Sequence, residues 1–522
     1  MHEAPTHRTE DDVPRRWGGD GGASKLAGPL TSELGLADAF DAEYLLANHI
    51  FPLKIEAGRL QVAVAGDVAV EVLDDLEVSY DCPADLTPVE PRALEEAIRR
   101  TFAAAESVVE LVRDLGSAVG GDVESWDDLE ADARHLADQP PVVRFVNLLI
   151  REAYDARASD IHLEATRQGT IVRFRVDGVL GDAPAPPAGL QAAVVSRIKL
   201  LAQLDIAERR VPQDGRMRAR LEERELDIRV STVPTLAGES VVLRLLDRGG
   251  GPVGLDELGM TPEALAAFRT VVARPHGIVL ATGPTGSGKT TTLYAALALR
   301  RAGEEKIITV EDPIEYHLPG VTQVPVNPKA GVSFAGALRS LLRQDPDVLM
   351  VGEMRDAETA AIAVQAAMTG HLVFSTLHTN DATSAIPRLV DLGVEPYLVA
   401  ATLEAVLAQR LVRRICAECR EGYRPDPQAV ALLAGRPVGD RALERGRGCA
   451  ACRQTGYRGR TGLFELFAVT DAWKHDIARE PASPDRRARA IADGLVTLAQ
   501  DGWQKVQAGI TTVEEVLRVT ER

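Results

Sequence analysis

The residues Gly283, Pro284, Thr285, Gly286, Ser287, Gly288, Lys289 and Thr290 fit the pattern G-x-x-x-x-G-K-[ST] at every fixed position. Glycines so spaced let a backbone wrap an anion with its N–H groups exposed, and the following helix start adds a favourable dipole. The chemistry this suits is the binding of a nucleotide's phosphates. Lys289 would reach the β and γ phosphates, Thr290 would hold Mg2+, and Thr291 would extend the set. The bland alternative is a chance glycine-rich turn. An apolar run at 278–281 before the loop and a helix-like stretch at 290–301 after it favour the phosphate reading.

Hydrolysis needs an acid near the metal and a group that positions or deprotonates water. The run Val348-Leu349-Met350-Val351-Gly352-Glu353 is an apolar strand ending in a carboxylate, which makes Glu353 the candidate general base. A second run, 307–310, leads into Glu311-Asp312-Pro313, with Glu315 close by. Glu311 would contact water and Asp312 would contact Mg2+, unless this is only an acidic loop. His378 follows the apolar run 372–375 and suits a sensor of the γ-phosphate; the competing reading is a satisfied structural histidine.

Cys416-Ala-Glu-Cys419 and Cys449-Ala-Ala-Cys452 form two C-x-x-C knuckles, a spacing that suits tetrahedral Zn2+ in a closed structural site. Redox thiols or four unrelated buried cysteines compete with that reading. Arg210, Arg216 and Arg229 lie in an arginine-rich stretch and could neutralise charge as the γ-phosphate leaves. Pairing with the chain's many acids explains them equally well.

The elements that must position these groups fall into regions. At 522 residues the chain is too long for one ordinary core. Residues 1–25 form a polar, flexible leader without the apolar segment of a signal peptide. Residues 26–110 mix helix and strand patterns, with helices at 34–46 and 91–102 and a strand at 60–64. A linker is expected at 111–140. A second α+β unit spans 141–248, with helices at 142–156 and 190–204 and a hairpin turn at Asp177-Gly178. Glycines mark a hinge at 249–254. From 255 to 522, short buried strands at 277–281, 307–310, 348–351 and 372–375 alternate with helices, the pattern of an α/β sheet flanked by helices. The cysteine insert occupies 413–456.

A net charge of −18 disfavours non-specific coating of nucleic acid or anionic lipid, so no specific nucleic acid is expected as partner. No stretch approaches the roughly 18 apolar residues of a membrane span, and clustered cysteines fit a reducing compartment. A cytoplasmic protein that meets membrane only through partners is the expectation.

Together these motifs resemble the secretion ATPase superfamily that powers type II secretion and type IV pilus assembly. The resemblance runs from about residue 26 and also rests on SDIHLE at 159–164, VRFRVDG at 172–178, PQDGR at 212–216, ITVEDPIE at 308–315, LRQDPD at 342–347, VGEMRD at 351–356, STLHTN at 375–380 and TGYRGRTG at 455–462. It implies a RecA-like phosphate-loop domain preceded by a PAS-like α+β domain and a small α/β docking domain. It makes Glu311, Asp312 and Glu315 an acidic box, Glu353 the Walker B glutamate and His378 a histidine box. It implies a homohexamer peripheral at the inner membrane, coupled to a platform protein and, through 26–110, to a membrane-bound cytoplasmic adaptor. The N-terminal region and the tetracysteine insert favour assembly or secretion over retraction; a retraction-type or DNA-uptake ATPase of the same superfamily is the alternative. A zinc-containing nucleic-acid-binding protein and a nucleotide-regulated scaffold without turnover are the readings of other classes.

Overall fold

The computed structural model describes residues 40, 42–56, 58–80, 82–103, 139–187, 189–221, 224–247, 253–300, 305–435 and 442–520. The leader, most of the expected linker, the glycines at 249–251 and the start of the expected 34–46 helix lie outside the described residues. The chain divides into two compact units between Leu245 and Leu246.

In the first unit, strands β1 (Ile50–Glu56) and β2 (Arg59–Val64) pair antiparallel, and β3 (Ala84–Pro88) runs parallel to β2. Helices Ala42–Ala47, Val70–Tyr80 and Pro91–Ala103 accompany them. Leu45, Phe51, Leu60, Val62, Leu76 and Ile98 close a small core of their own. Further on, helix Pro140–Asp155 buries Val142, Phe145, Val146, Leu149, Ile150 and Ala153, one helical face at three- and four-residue spacing. It packs on helix Gln191–Leu201 and on a six-stranded sheet in the order β6-β5-β4-β9-β8-β7. These strands are β4 (Ala158–Thr166), β5 (Gly169–Val176), β6 (Val179–Ala183), β7 (Gln213–Leu221), β8 (Arg224–Thr235) and β9 (Gly238–Asp247). Asp177 and Gly178 both take positive φ (51° and 86°), so the expected two-residue hairpin is there, in the twist that strands prefer.

The second unit is built on seven strands in the order β12-β11-β13-β14-β10-β15-β18. They are β10 (Gly277–Thr282), β11 (Ile307–Glu311), β12 (Thr322–Pro325), β13 (Val348–Val351), β14 (Leu372–Leu377), β15 (Leu403–Ile415) and β18 (Tyr457–Ala468), with β16 (Arg420–Tyr423) and β17 (Leu443–Gly446) pairing separately. All neighbours in the large sheet are parallel except β15 and β18. Alternate side chains feed two cores. Ile278, Leu280, Ile308, Val310, Leu349 and Val351 enter one; Val279, Ala281, Ile307, Val348, Met350 and Phe374 enter the other. That is why these strands read as unbroken apolar runs: both faces are covered. All four expected strands are present, and β14 runs two residues beyond its expected end.

Candidate functional site

In a parallel sheet the loops at the carboxyl ends gather on one edge, and a crevice opens where successive connections part to opposite sides. Here the chain leaves β10 for β11, three places away, returns through β13 and β14 to β10's flank, then crosses to β15 on the other side. The expected phosphate loop, Glu353 and His378 stand at the carboxyl ends of β10, β13 and β14.

The loop's geometry follows from its glycines. Gly283, Gly286 and Gly288 have φ of 145°, 77° and 86°, which side-chain-bearing residues avoid. Space also forbids a side chain at the ends: a Cβ on Gly283 would lie 2.5 Å from the Gln409 carbonyl, and one on Gly288 would lie 2.7 Å from the Gln409 amide nitrogen. Helix Lys289–Arg300 begins directly after. Lys289 is buried and its Nζ donates to the carbonyls of Gly283 (2.7 Å) and Pro284 (3.1 Å). Burial pushes its pKa down to about 8, Glu353 opposes that shift, and Arg410 reinforces it.

Glu353 is mostly buried. Its carboxylate is 2.6 Å from the Arg355 guanidinium and 3.6 Å from His378 Nε2. Partial burial holds the His378 pKa below its ordinary value, and the Lys289 charge adds to this against the pull of Glu353, so the ring is neutral at pH 7. Hydroxyls fix both residues. Ser375 donates to the Val351 carbonyl (2.7 Å) and Thr376 to the Gly352 carbonyl (2.8 Å), tying β14 to the turn that carries Glu353. The backbone N–H of Thr379 donates to Thr282 Oγ1 (2.8 Å), pinning the histidine loop to the end of β10.

The acidic box divides. Asp312 is exposed and its charge is felt by Arg355, whereas Glu311 is buried. The Glu311 carboxylate accepts from Tyr294 Oη, from Thr309 Oγ1 (2.5 Å) and from Gln323 Nε2 (3.2 Å). Lys289, Glu353 and His378 therefore form one electrostatic group, and the Glu311 side chain is engaged elsewhere. The hydroxyl of Thr290 and the carboxylate of Asp312 are oxygen donors of the hard kind that Mg2+ takes.

Arg210, Arg216 and Arg229 are on the first unit. Arg210 is exposed and forks onto Glu208 (2.8 Å). Arg216 and Arg229 stand directly opposite on β7 and β8, two like charges side by side on one sheet face.

The four cysteines converge beyond β15. Their sulfurs all lie within 4.8 Å of one another, with Cys416–Cys449 at 3.9 Å, Cys419–Cys452 at 3.8 Å and Cys449–Cys452 at 3.7 Å. These separations exceed a disulfide bond and match the edge, about 3.8 Å, of a tetrahedron with 2.3 Å metal–sulfur bonds. The Cys449 and Gly456 backbone N–H groups both point at Cys452 Sγ (3.2 Å each). Burial raises that thiol, but these two donors with the Cys449 and Cys419 thiols bring it down to about 6, while burial pushes Cys419 up to about 12, so the four sulfurs share their protons as one set.

Sequence reasoning missed Thr282, Gln409 and Arg410, which bear no motif of their own, and gave Ser375 and Thr376, inside STLHTN, no part in holding the site. Only the polar residues inside otherwise apolar strands could have signalled them.

The chain is similar to known proteins over most of its length. The profile of the type II/IV secretion system protein family matches residues 135–518, and that of the MshEN domain matches 27–108. A type II secretion system protein E of Xanthomonas campestris is 46% identical over 481 residues, covering 92% of this chain and 84% of that protein. The type IV pilus assembly ATPase PilB of Myxococcus xanthus is 41% identical over 473 residues, covering 90% and 83%. The X-ray structure of the Yersinia pseudotuberculosis ATPase DotB superposes with a TM-score of 0.55 at 20% identity, covering 72% of this chain and 93% of that one, a likeness of fold. The chain belongs to the type II/IV secretion system protein family and is one of its ATPases.

Proposed function

We propose that this chain is the subunit of a homohexameric motor that hydrolyses ATP at the cytoplasmic face of the inner membrane to drive assembly of pilus-like fibres. The observation that carries the reading is Glu353, held at the end of β13 beside His378 and within the field of Lys289. Lys289 binds the β and γ phosphates, with residues 283–291 around them. Glu353 takes a proton from the water whose oxygen bonds to the γ-phosphorus, as the bond to the bridging oxygen breaks and ADP departs. Thr290 and Asp312 hold Mg2+, which neutralises phosphate charge when bound. His378, neutral and next to Glu353, registers loss of the γ-phosphate. Arg210, Arg216 and Arg229 supply positive charge from the N-terminal half, and Glu311 braces the loop helix through Tyr294. The four cysteines hold a structural Zn2+.

Identity to the type II secretion protein (46%) exceeds that to the pilus assembly ATPase (41%), which favours secretion as the machine served. The MshEN match at 27–108 and the four cysteines favour assembly over retraction. Residues 26–110 are the handle for a membrane-bound adaptor, and a membrane platform protein receives the motion. No helix among the described residues is long and apolar enough to cross a membrane. The deciding test is Glu353→Gln. It should bind nucleotide as wild type does and release phosphate about 100-fold to 10,000-fold more slowly. Turnover at the wild-type rate would sink the mechanism.

A further inference from the structure

β15 lies against β10 in parallel register, with Ala281 opposite Leu407 and Thr282 opposite Ala408. The next two residues, Gln409 and Arg410, therefore come level with the start of the phosphate loop. Successive strand residues point to opposite faces, so the pair grips the loop from two sides. Gln409 takes the helix side. Its Oε1 accepts from Thr292 Oγ1 at 2.7 Å, and its Nε2 is the atom that leaves no room for a Cβ at Gly288. Arg410 takes the other. A Cβ at Gly283 would come within 2.9 Å of its Nη1, so the guanidinium rests directly on the loop's first glycine. Its Nη2 donates to the main-chain carbonyl of Asn380, two residues beyond His378, at 2.9 Å.

Arg410 is buried, 6% exposed, yet its direct acceptors are carbonyls: those of Gln409 and Asn380, with the Asn380 amide oxygen at 3.5 Å. The acids whose charge reaches it, Glu465 and Asp381, are paired with Arg487. A guanidinium kept in such a place is costly unless its position is used. A side chain that touches both the first glycine of the phosphate loop and the backbone of the histidine loop links the two segments. We infer that Arg410 is a positioning residue, holding the 378–381 segment in register with the phosphate loop so that His378 stays beside Glu353. The inference rests on the role proposed above for His378. Lys289 and Glu353 keep their roles: Arg410 touches no reacting atom, and its charge, felt at Lys289, is retained in Arg410→Lys.

Two consequences separate this from a general packing role. Loss of Arg410 should reduce kcat, because the histidine is misplaced, while KM for ATP changes little, because Gln409 still supports the loop. The loss should also vanish once His378 is gone. The experiment is a double-mutant cycle on the full chain, with Arg410→Gln and His378→Ala singly and together, reading steady-state phosphate release and binding of a fluorescent ATP analogue. Arg410→Gln should lower kcat at least tenfold with nucleotide affinity within about threefold of wild type, and should cost nothing further in His378→Ala. Arg410→Lys keeps the charge and most of the bulk but not the fork, and gives the same cycle if the glutamine variant fails to fold. An unchanged kcat, or a fall that is as large without His378 as with it, overturns the inference. His378→Ala turning over like wild type sinks instead the reading of His378 on which it rests.

Discussion

His378 Nε2 stands 3.6 Å from the Glu353 carboxylate, and both groups are within the field of Lys289. One base, one neutral ring and one cation thus meet on the edge of the sheet where β10, β13 and β14 end. The protonation of Lys289 and of His378 bears on the pH range in which the site can work.

Lys289, brought down to about 8 in the free protein, loses its charge as pH rises through that value. Its hold on the phosphates weakens with it, so kcat/KM for ATP should fall on the alkaline side of about pH 8. Bound phosphate charge favours the protonated lysine, which moves the same limb of the kcat profile to higher pH. His378, held below its ordinary value, charges only in the acid range and leaves both profiles flat near neutrality. Coincident alkaline limbs for kcat and kcat/KM would contradict this account.

Tyr294 and Glu311 should behave as one unit. Tyr294→Phe withdraws a donor from a buried carboxylate, at a cost of about 1–3 kcal/mol. Glu311→Gln should lower Tm and turnover to a similar degree, and the double variant should be little worse than either single one. A large loss of kcat confined to Glu311→Gln would assign that carboxylate to water or Mg2+ instead.

The cysteine cage should carry one zinc ion per chain by metal analysis. Cys419→Ser should abolish that stoichiometry, and both this variant and chelation should lower Tm by several degrees, because closed thiolate sites contribute folding energy directly. Unchanged metal content in Cys419→Ser would refute the four-cysteine site.

Acid should loosen the last helix from the sheet. Glu515 on helix Val513–Thr520 meets Arg413 of β15 at 2.6 Å and Arg518 at 2.8 Å, which outweigh its burial and hold its pKa at about 2 against an ordinary 4.5. The folded-state value is depressed, so the stabilisation, about 3 kcal/mol, is present above pH 4.5 and fades as pH falls toward 2. The Tm gap between wild type and Glu515→Gln, measured down this range, should shrink. A constant gap would count against the pairing.

The parts of this site legible in the sequence are those where chemistry dictates residue type over a short span. The phosphate loop between an apolar run and a helix, the carboxylate after 348–351 and the paired knuckles all read directly, because backbone wrapping, buried parallel strands and tetrahedral ligation leave few choices. What escaped depends on neighbours distant in sequence. Leu403–Ile415 carries arginines and a glutamine among apolar residues, and only its place between β10 and β18 makes it a strand and turns Gln409 and Arg410 toward the loop. Glu311 looks like its neighbour Asp312 in sequence; the partner that separates them, Tyr294, is 17 residues away on another element.

β15 runs from Leu403 to Ile415, with one shift of register against β18 between Arg413 and Ile415, and Cys416 follows at once. At 3.3 Å per residue, the thiolate cage stands about 20 Å along a single spar from the guanidinium at the phosphate loop. Its pairing with β10 and β18 resists a tilt along most of that length, so the spar behaves as a lever that joins the cysteine cluster to the phosphate loop. Stripping the metal should therefore be felt as weaker ATP binding, far from any sulfur.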